Sequence, residues 1–182
     1  KAAAKIKRQN RSAEVKILTQ SADISYAGCG LPYYVGGMIE SREELIVNTP
    51  EKYTGLTGVE VVTRCEVTSV NFQAKTVTAL CQGQTWLESY DKLVIATGAT
   101  PFVPQVEGIR LPGVFTMRTP DDAIALRSYV QDRHCRSAVV VGAGFIGLEI
   151  AENLQAQGLA VTVIDAADQI LPKIFDPEMA GY

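Results

Sequence analysis

One cysteine of this sequence stands in a setting that suits chemistry. Cys29 lies between two glycines in the segment ISYAGCGLPYYVGG, residues 24–37. From the residues alone a single cysteine is more often structural, and only this glycine-flanked loop favours a reactive thiol. A nucleophilic cysteine acts as its thiolate, which an electropositive neighbourhood or a helix amino terminus stabilises. The segment therefore leaves two roles open for Cys29, a buried structural residue or a redox group.

A glycine motif marks a second place for chemistry. Gly142, Gly144 and Gly147 form a G-x-G-x-x-G pattern in VVVGAGFIGLE, after a predicted strand and at the start of a predicted helix. These glycines permit a tight turn, the approach of a pyrophosphate and close helix packing, in that order. Asp165 ends the next predicted strand, roughly 20 residues further on, where a carboxylate binds an adenosine ribose. The pattern predicts a site that prefers NADH to NADPH, with a glycine turn without a ligand as the alternative.

A further segment, KLVIATGATP at residues 92–101, combines a predicted buried strand with a turn at Thr97 and Gly98. Backbone exposed at the end of such a strand is able to meet a ligand. An ordinary strand-to-loop turn is the alternative. The residues alone leave the ligand of this segment unnamed.

Charge and composition exclude several classes of protein. The 182 residues have a formal net charge of -3 and a pI of about 5.2, so neither nucleic acid nor a membrane surface is an expected partner. No apolar run approaches the ~18 residues of a membrane span, and no signal-peptide core is present, which predicts a cytoplasmic protein. Basic residues near the amino terminus form either a solvated helix face or a small phosphate site. They are Lys1, Lys5, Lys7, Arg8 and Arg11.

The four cysteines lack the paired spacing of a zinc site or of a Cys-x-x-Cys redox pair. We therefore expect no metal, and we expect thiols in a reducing compartment. Cys65, Cys81 and Cys135 are predicted to be structural. His134, the single histidine, is predicted to lie at a helix terminus without a catalytic role.

The first half of the chain mixes both kinds of element. KAAAKIKRQ predicts a helix, AEVKILT predicts a strand, and Ser41 with Glu44 predicts the capped start of a short helix. The β-branched runs over residues 59–95 predict an antiparallel hairpin or meander that ends in a buried strand. A stretch rich in proline and glycine, residues 98–113, predicts a linker.

The second half is predicted to be α/β. From Thr119 onward the pattern indicates a capped amphipathic helix, a buried strand, a helix that ends at Gly158 and a further strand. One strand-helix-strand unit is too small to cover both faces of a parallel sheet. We therefore expect the chain to be cut at both ends.

Three segments together resemble one enzyme family. SYAGCGLPYYVGG, VIATGATP and VVVGAGFIGLEIAE, in this order, are similar to the flavin-dependent pyridine nucleotide-disulfide oxidoreductases over essentially the whole chain. The resemblance is to the single-cysteine branch, which holds coenzyme A-disulfide reductases, persulfide reductases, and NADH oxidases and peroxidases. It implies an α/β, Rossmann-like FAD/NAD(P)-binding fold in three layers, with a parallel sheet and an antiparallel β-meander, incomplete at both termini. It also implies a partial FAD-binding domain at residues 1–110 and the first part of an NAD-binding domain at residues 111–182.

The resemblance implies roles for particular residues. Cys29 takes the place of the redox cysteine near the flavin, and Asp165 takes that of the acid on the NADH ribose. Thr19 stands where the family has a glutamate on the FAD ribose. Phe145 corresponds to the aromatic that covers the flavin, and Glu149 to the acid near the nicotinamide. The other implied cofactor contacts are Ala96, Thr97, Gly98, Gly142, Gly144, Ile146 and Gly147. The implied substrate contacts are Lys5, Arg8, Ser25 and Tyr26, for which solvated charges and loop packing are the alternative.

By the same resemblance, electrons pass from NADH through FAD and Cys29 to a low-molecular disulfide or persulfide. Coenzyme A is a candidate substrate or bound thiol, and the whole protein is expected to be a homodimer. Two alternatives stay open. One is an NADH oxidase or peroxidase in which Cys29 cycles through sulfenic acid. The other is a nucleotide-binding module without catalysis.

Overall fold

The fold is taken from a computed structural model that describes residues 1–181. These residues form two compact units. Unit 1 contains Lys1–Tyr26 and Ile46–Gly98, whereas unit 2 contains Ala27–Leu45 and the chain from Ala99 onward. The Cys29 segment therefore belongs to unit 2, although unit 1 flanks it in the sequence. A division into FAD-binding and NAD-binding domains at residue 110 stays a prediction.

Helices and strands follow one another along both units. In chain order the helices are α1 (Ala2–Gln9), α2 (Leu31–Val35), α3 (Arg42–Leu45), α4 (Pro50–Thr57), α5 (Pro120–Asp132), α6 (Phe145–Ala156) and α7 (Pro177–Ala180). The strands are β1 (Lys16–Leu18), β2 (Ser25–Tyr26), β3 (Ile46–Asn48), β4 (Glu60–Val62), β5 (Cys65–Asn71), β6 (Thr76–Cys81), β7 (Gln84–Ser89), β8 (Ser137–Val141) and β9 (Ala160–Ile164). A 3-10 turn over Gly28–Gly30 precedes α2. The capped start predicted for α3 is confirmed, since the Ser41 backbone and hydroxyl both donate to Glu44 at 3.0 Å.

Unit 1 is built from short sheets. β1 and β4 pair in parallel, β2 and β3 pair antiparallel, and β5, β6 and β7 form the predicted antiparallel meander. Val77 and Ala79 of β6 are buried, because alternate residues of a strand point to the same face. Lys16 of β1 donates to Glu88 of β7 at 2.9 Å, which ties the parallel pair to the meander.

A disulfide joins two of the cysteines in the meander. Cys65 and Cys81 are directly opposite each other in the register of β5 and β6, with their Cα atoms 4.0 Å apart, and their sulfur atoms are bonded. The expectation of four thiols is therefore wrong for this pair. The physical reason is the register of the hairpin, which brings together residues that are 16 apart in the sequence. Cys29 and Cys135 are free thiols.

Unit 2 contains the predicted strand-helix-strand motif. β8 and β9 pair in parallel, from Ser137 opposite Ala160 to Val141 opposite Ile164. Helix α6 packs on both strands with Ile150 and Leu154 buried. The helix ends just before Gly158, as predicted, and this glycine has a φ of +88°. Helix α2 packs against α5 and α6. The unit thus holds the Cys29 segment and the glycine motif together.

Two strands predicted to be buried differ from expectation. Residues 93–98 have no regular secondary structure, and Ile95 is 65% exposed. No strand of the described residues pairs with this segment, so its backbone groups make no strand-to-strand hydrogen bonds. β8 is a strand, but Val139 and Val141 are 62% and 77% exposed, because a two-stranded sheet leaves a face uncovered.

Among residues 1–181, no helix is long and apolar enough to cross a membrane.

The predicted cap of α5 is confirmed and supports a stability test. The Thr119 hydroxyl accepts the Asp122 N–H at 3.2 Å, while the Asp122 carboxylate accepts the Thr119 N–H at 2.8 Å. Thr119→Ala should lower the free energy of unfolding of the full-length protein by about 1 kcal/mol. Chemical denaturation followed by circular dichroism measures this change. Ser128→Ala, at an exposed position of the same helix, should stay within about 0.5 kcal/mol of wild type. Equal losses in the two variants would contradict the role of the cap.

Candidate functional site

The turn after β8 has a backbone that requires glycine. Gly142 has a φ of +107°, in the region that favours glycine over residues with a side chain. Its N–H donates to the carbonyl oxygen of Ile164 at 2.7 Å, which ties the turn to the end of β9. The carboxyl ends of both strands therefore meet at the start of α6. This is where ligands bind in open parallel sheets.

The next two glycines leave space for different purposes. A Cβ at Gly144 would meet no atom within 4 Å, so the space above this residue is open. A Cβ at Gly147 would overlap the carbonyl oxygen of Gly142, so this glycine allows α6 to lie close to the turn. The first N–H groups of a helix have no acceptor within it, and they attract an anion. The arrangement fits a pyrophosphate over Gly144.

The carboxylate of Asp165 lies against the glycine turn. Its Oδ2 accepts the N–H of Ala143 at 2.6 Å, and its Oδ1 accepts the N–H of Ala167 at 2.7 Å. The hydrogen bonds from Ala167 and Ala143 lower the pKa of Asp165 below its ordinary value. Each carboxylate oxygen keeps a lone pair, so the exposed group is able to accept ribose hydroxyls as well. The site thus has a negative charge at the position expected to discriminate against a 2′-phosphate.

The first turns of α6 present apolar side chains to the outside. Phe145 and Ile146 are 58% and 56% exposed, and Glu149 is half-buried. Phe145 and Glu149 are four residues apart and lie on one face of the helix. Phe145, predicted to cover the flavin, and Glu149, predicted to lie near the nicotinamide, are therefore at the same end of α6 as the glycine turn, as is the predicted cofactor contact Ile146.

Cys29 is an exposed free thiol, so the alternative of a buried structural cysteine is wrong. It lies in the middle of the 3-10 turn that leads into α2. The next residue, Gly30, is buried, and a Cβ there would be 3.0 Å from Ile39 Cδ1 and 3.2 Å from Leu45 Cδ2. Leu31 is 3% exposed. The sulfur is therefore open to a reactant while the backbone beside it is packed.

Four of the residues predicted to bind FAD lie in unit 1. Thr19 is half-buried just after β1, where its hydroxyl accepts the Ser21 N–H at 3.3 Å. Ala96, Thr97 and Gly98 are exposed, and Gly98 has a φ of +72°. These residues are polar or open enough for a ligand, and a role in FAD binding stays a prediction for each of them.

The predicted substrate contacts also lie in unit 1. Lys5 and Arg8 are exposed on α1, and Ser25 and Tyr26 form β2. An open cavity of about 440 Å³ between α1 and α4 includes Arg8 but not Lys5. The cavity is lined by Ala4, Lys7, Arg8, Arg11, Leu56 and Thr57. The contribution of α4 was missed, because nothing in the local sequence indicates which helix packs on α1.

Within residues 1–181, no three His, Cys, Asp or Glu side chains come together as a metal site.

Comparisons with known proteins place the chain among oxidoreductases. The family described as "Pyridine nucleotide-disulphide oxidoreductase" matches residues 1–182. The chain is 39% identical over 181 residues to an NADH oxidase of Methanocaldococcus jannaschii, covering 98% of this chain and 40% of that protein. It is 35% identical over 178 residues to a CoA-dependent NAD(P)H sulfur oxidoreductase of Pyrococcus furiosus, again covering 98% and 40%. The chain therefore spans about 40% of the length of these relatives.

A solved structure gives the same result for the fold. The NAD-dependent persulfide reductase from A. fulgidus matches with a TM-score of 0.93 and 36% identity, over 99% of this chain and 34% of that chain. Together with the family match, this confirms the predicted α/β, Rossmann-like FAD/NAD(P)-binding fold class.

The two glycines of the turn allow ligand binding and stability to be tested separately. Gly144→Ala should weaken NADH binding to the full-length protein about tenfold or more, because the Cβ would fill the space for the pyrophosphate. Its cost in stability should stay below about 1 kcal/mol. Gly147→Ala should instead cost about 1–3 kcal/mol, because the backbone of the turn must shift. Fluorescence titration with NADH and chemical denaturation measure the two effects. Unchanged NADH affinity in Gly144→Ala would place the dinucleotide elsewhere.

The lowered pKa of Asp165 predicts a pH-dependent contribution to stability. A carboxylate whose folded pKa is depressed stabilises the fold above the ordinary pKa of ~3.9, and this contribution is lost as the pH falls through the lower folded value. The stability difference between wild type and Asp165→Asn should therefore be constant near neutral pH and narrow below about pH 4. Thermal midpoints measured across this range provide the test. Asp168→Asn, at an exposed position three residues along, is the control. A difference for Asp165→Asn that does not change with pH would be inconsistent with this account.

Proposed function

Because the chain belongs to the pyridine nucleotide-disulphide oxidoreductase family, we propose that the whole protein transfers electrons from NADH, through FAD and Cys29, to a low-molecular disulfide or persulfide. Coenzyme A disulfide is the candidate acceptor. The observation that carries the proposal is the exposed free thiol of Cys29, held beside packed backbone in the same unit as the glycine turn. A CoA-dependent sulfur oxidoreductase and a persulfide reductase among the similar proteins support a sulfur acceptor.

The residues of the glycine turn and of unit 1 would hold the two cofactors. Gly144 leaves room for the NADH pyrophosphate, and the exposed Asp165 carboxylate would accept the ribose hydroxyls. Thr19 and the Ala96–Gly98 segment are the proposed contacts to FAD. When bound, NADH and FAD supply the pair of electrons that the reaction consumes.

The chemistry proposed for this chain takes place at the Cys29 sulfur. The thiolate attacks one sulfur of the acceptor disulfide, a mixed disulfide forms, and the other sulfur leaves as a thiolate that takes up one proton. Two electrons and a proton then cleave the mixed disulfide, which restores the Cys29 thiolate and releases the second thiol. In sum, one disulfide, one NADH and one proton give two thiols and NAD⁺.

The pairing of the other cysteines supports this use of the substrate sulfur. Cys65 and Cys81 are bonded to each other, and the Cys135 thiol lies 3.9 Å from the carbonyl oxygen of Tyr129. Cys29 is therefore the exposed free thiol of the described residues. In the proposed cycle the acceptor provides the sulfur that pairs with it.

Further features of the whole protein are proposed with the same function. Lys5 and Arg8 are proposed to meet the phosphates of coenzyme A, and Ser25 and Tyr26 to line the approach to the sulfur. The open basic cavity that includes Arg8 supports an anionic substrate near α1. A homodimer, a cytoplasmic location and the division into FAD-binding residues 1–110 and NAD-binding residues 111–182 remain predictions.

A second function is favoured by one relative. The similar protein of Methanocaldococcus jannaschii is named an NADH oxidase. In that case the Cys29 thiolate would take one oxygen atom from hydrogen peroxide, become a sulfenate and release one water, and two electrons with two protons would restore the thiolate and release a second water. The same exposed sulfur serves both functions, so the acceptor has to be determined by experiment.

Turnover with defined acceptors tests the proposal. The FAD-loaded full-length protein should consume NADH under anaerobic conditions when coenzyme A disulfide or a persulfide is supplied. Cys29→Ser should abolish this turnover yet leave the NADH-dependent loss of FAD absorbance intact, because the sulfur acts after the flavin. Cys135→Ser is the matched control and should retain both activities.

Two results would change the assignment. Undiminished disulfide turnover in Cys29→Ser would remove Cys29 from the mechanism. NADH consumption that requires oxygen and ignores both sulfur acceptors would establish the oxidase instead.

A further inference from the structure

Arg127 of α5 is bound to the segment that follows Cys29. Its Nη1 lies 3.1 Å from the carbonyl oxygen of Tyr34, 3.0 Å from that of Ile39 and 3.2 Å from that of Glu40. The guanidinium also lies over the Tyr34 ring, 4.6 Å from its centroid. Arg127 is half-buried, and it is 87 to 93 residues away in the sequence from the groups it binds. The Arg127 side chain of α5 therefore joins the two ends of the turn at residues 34–40, which begins at the end of α2.

The three carbonyl groups lie at the end of α2 and in the turn that follows it. Tyr34 is in the last turn of α2, where its carbonyl oxygen also accepts the Gly37 N–H at 3.1 Å, and Ile39 and Glu40 belong to the irregular turn before α3. A positively charged donor makes stronger hydrogen bonds than a neutral one, and a cation is favoured at a helix carboxyl end. The contacts of Arg127 thus fix the exit of α2.

The same turn is held from a second side by α6. Gln157 donates to the carbonyl oxygen of Gly36, and a Cβ at Gly36 would overlap the side chain of Asn153. Asn153 is 4% exposed and donates to the carbonyl oxygen of Glu149 at 2.8 Å. Residues 34–40 are therefore clamped between α5 and α6. Helix α2 has five residues, so its position follows that of the clamped turn.

A direct line of contacts leads from this clamp to the reactive sulfur. Arg127 holds the carbonyl group of Ile39, and the side chain of Ile39 packs beneath Gly30, the residue after Cys29. The other end of the segment is closed by a 2.8 Å hydrogen bond from the Ala27 N–H to the Leu45 carbonyl oxygen. The backbone after Cys29 is thus supported by Ile39, which Arg127 holds, and the backbone before Cys29 is held by the Ala27–Leu45 hydrogen bond.

We propose that Arg127 is a positioning residue for Cys29, a role that rests on the proposed redox function of this sulfur. It holds the turn at residues 34–40, and through Ile39 and Gly30 it sets the place of the thiolate for attack on the acceptor. Arg127 should affect the attack of the Cys29 thiolate on the acceptor and not the reduction of FAD by NADH. Its guanidinium donates hydrogen bonds to carbonyl groups within residues 34–40, and none of these groups belongs to the glycine turn.

The test separates the sulfur step from flavin reduction in the FAD-loaded full-length protein. Arg127→Gln should lower kcat for coenzyme A disulfide about tenfold or more, because a small misplacement of a reacting group is costly. The rate at which NADH reduces FAD, followed by stopped-flow absorbance, should stay within about twofold of wild type. Arg127→Lys, which keeps the charge and three N–H donors, should recover part of kcat.

Arg133→Gln is the matched control. Arg133 follows the last residue of the same helix, and its guanidinium lies over the Tyr129 ring at 5.9 Å. This variant should keep both rates within about twofold of wild type.

Several results would overturn the proposal. One is a kcat in Arg127→Gln within about twofold of wild type. Another is an equal loss in both half-reactions, which would indicate general damage to the fold. A third is an Arg127→Lys variant no more active than Arg127→Gln. If Arg127→Gln yields no FAD-loaded protein, Arg127→Lys decides the matter by the same comparison of rates with wild type.

The outcome is distinguishable from failure of the proposed function. Disulfide turnover that survives Cys29→Ser would refute the redox role of Cys29 itself. Turnover that is lost in Cys29→Ser but unchanged in Arg127→Gln would refute only the positioning role of Arg127.

Discussion

Helix α6 makes two close contacts that only glycine permits, and unit 2 depends on both. At its first turn, Gly147 is so near the carbonyl oxygen of Gly142 that no Cβ fits between them. Further along, the side chain of Asn153 leaves no room for a Cβ at Gly36, and Gln157 donates to the Gly36 carbonyl oxygen. The first contact sets the helix on the nucleotide turn, and the second ties α2 to the helix. Because packed interiors transmit displacements rather than absorb them, one helix governs both positions.

The groups with proposed chemistry are exposed, and neighbouring backbone holds them in place. The Cys29 thiol is open, but Gly30 and Leu31 beside it are packed. The Asp165 carboxylate is also exposed, but the N–H groups of Ala143 and Ala167 hold it in one orientation. A sulfur that exchanges with a free disulfide must be accessible, and its rate depends on a defined line of attack. The structure meets both requirements with few residues.

Features that depend on residues close together in the sequence were predicted correctly. Features that depend on a partner far away in the sequence were not. The cap at Thr119 and the glycine turn depend on neighbours within a few residues, and both were predicted. Cys65 and Cys81 meet only through the register of a hairpin, so their bond was not predicted. The segment at residues 93–98 has the composition of a buried strand, yet a strand forms only beside another strand. The partner of Arg127 was likewise invisible, since its carbonyl groups are some 90 residues away.

By itself, the sequence determined the order of helices and strands over residues 119–164, the glycine turn with its acid, and the cysteine between two glycines, because turn chemistry and helix caps act over a few residues. Only the tertiary structure decided which side chains support that cysteine. It placed Ile39 under Gly30, set Asn153 against Gly36 and brought Arg127 to the end of α2. Contacts of this kind depend on the packing of whole helices, and no local pattern encodes which helix will be the neighbour.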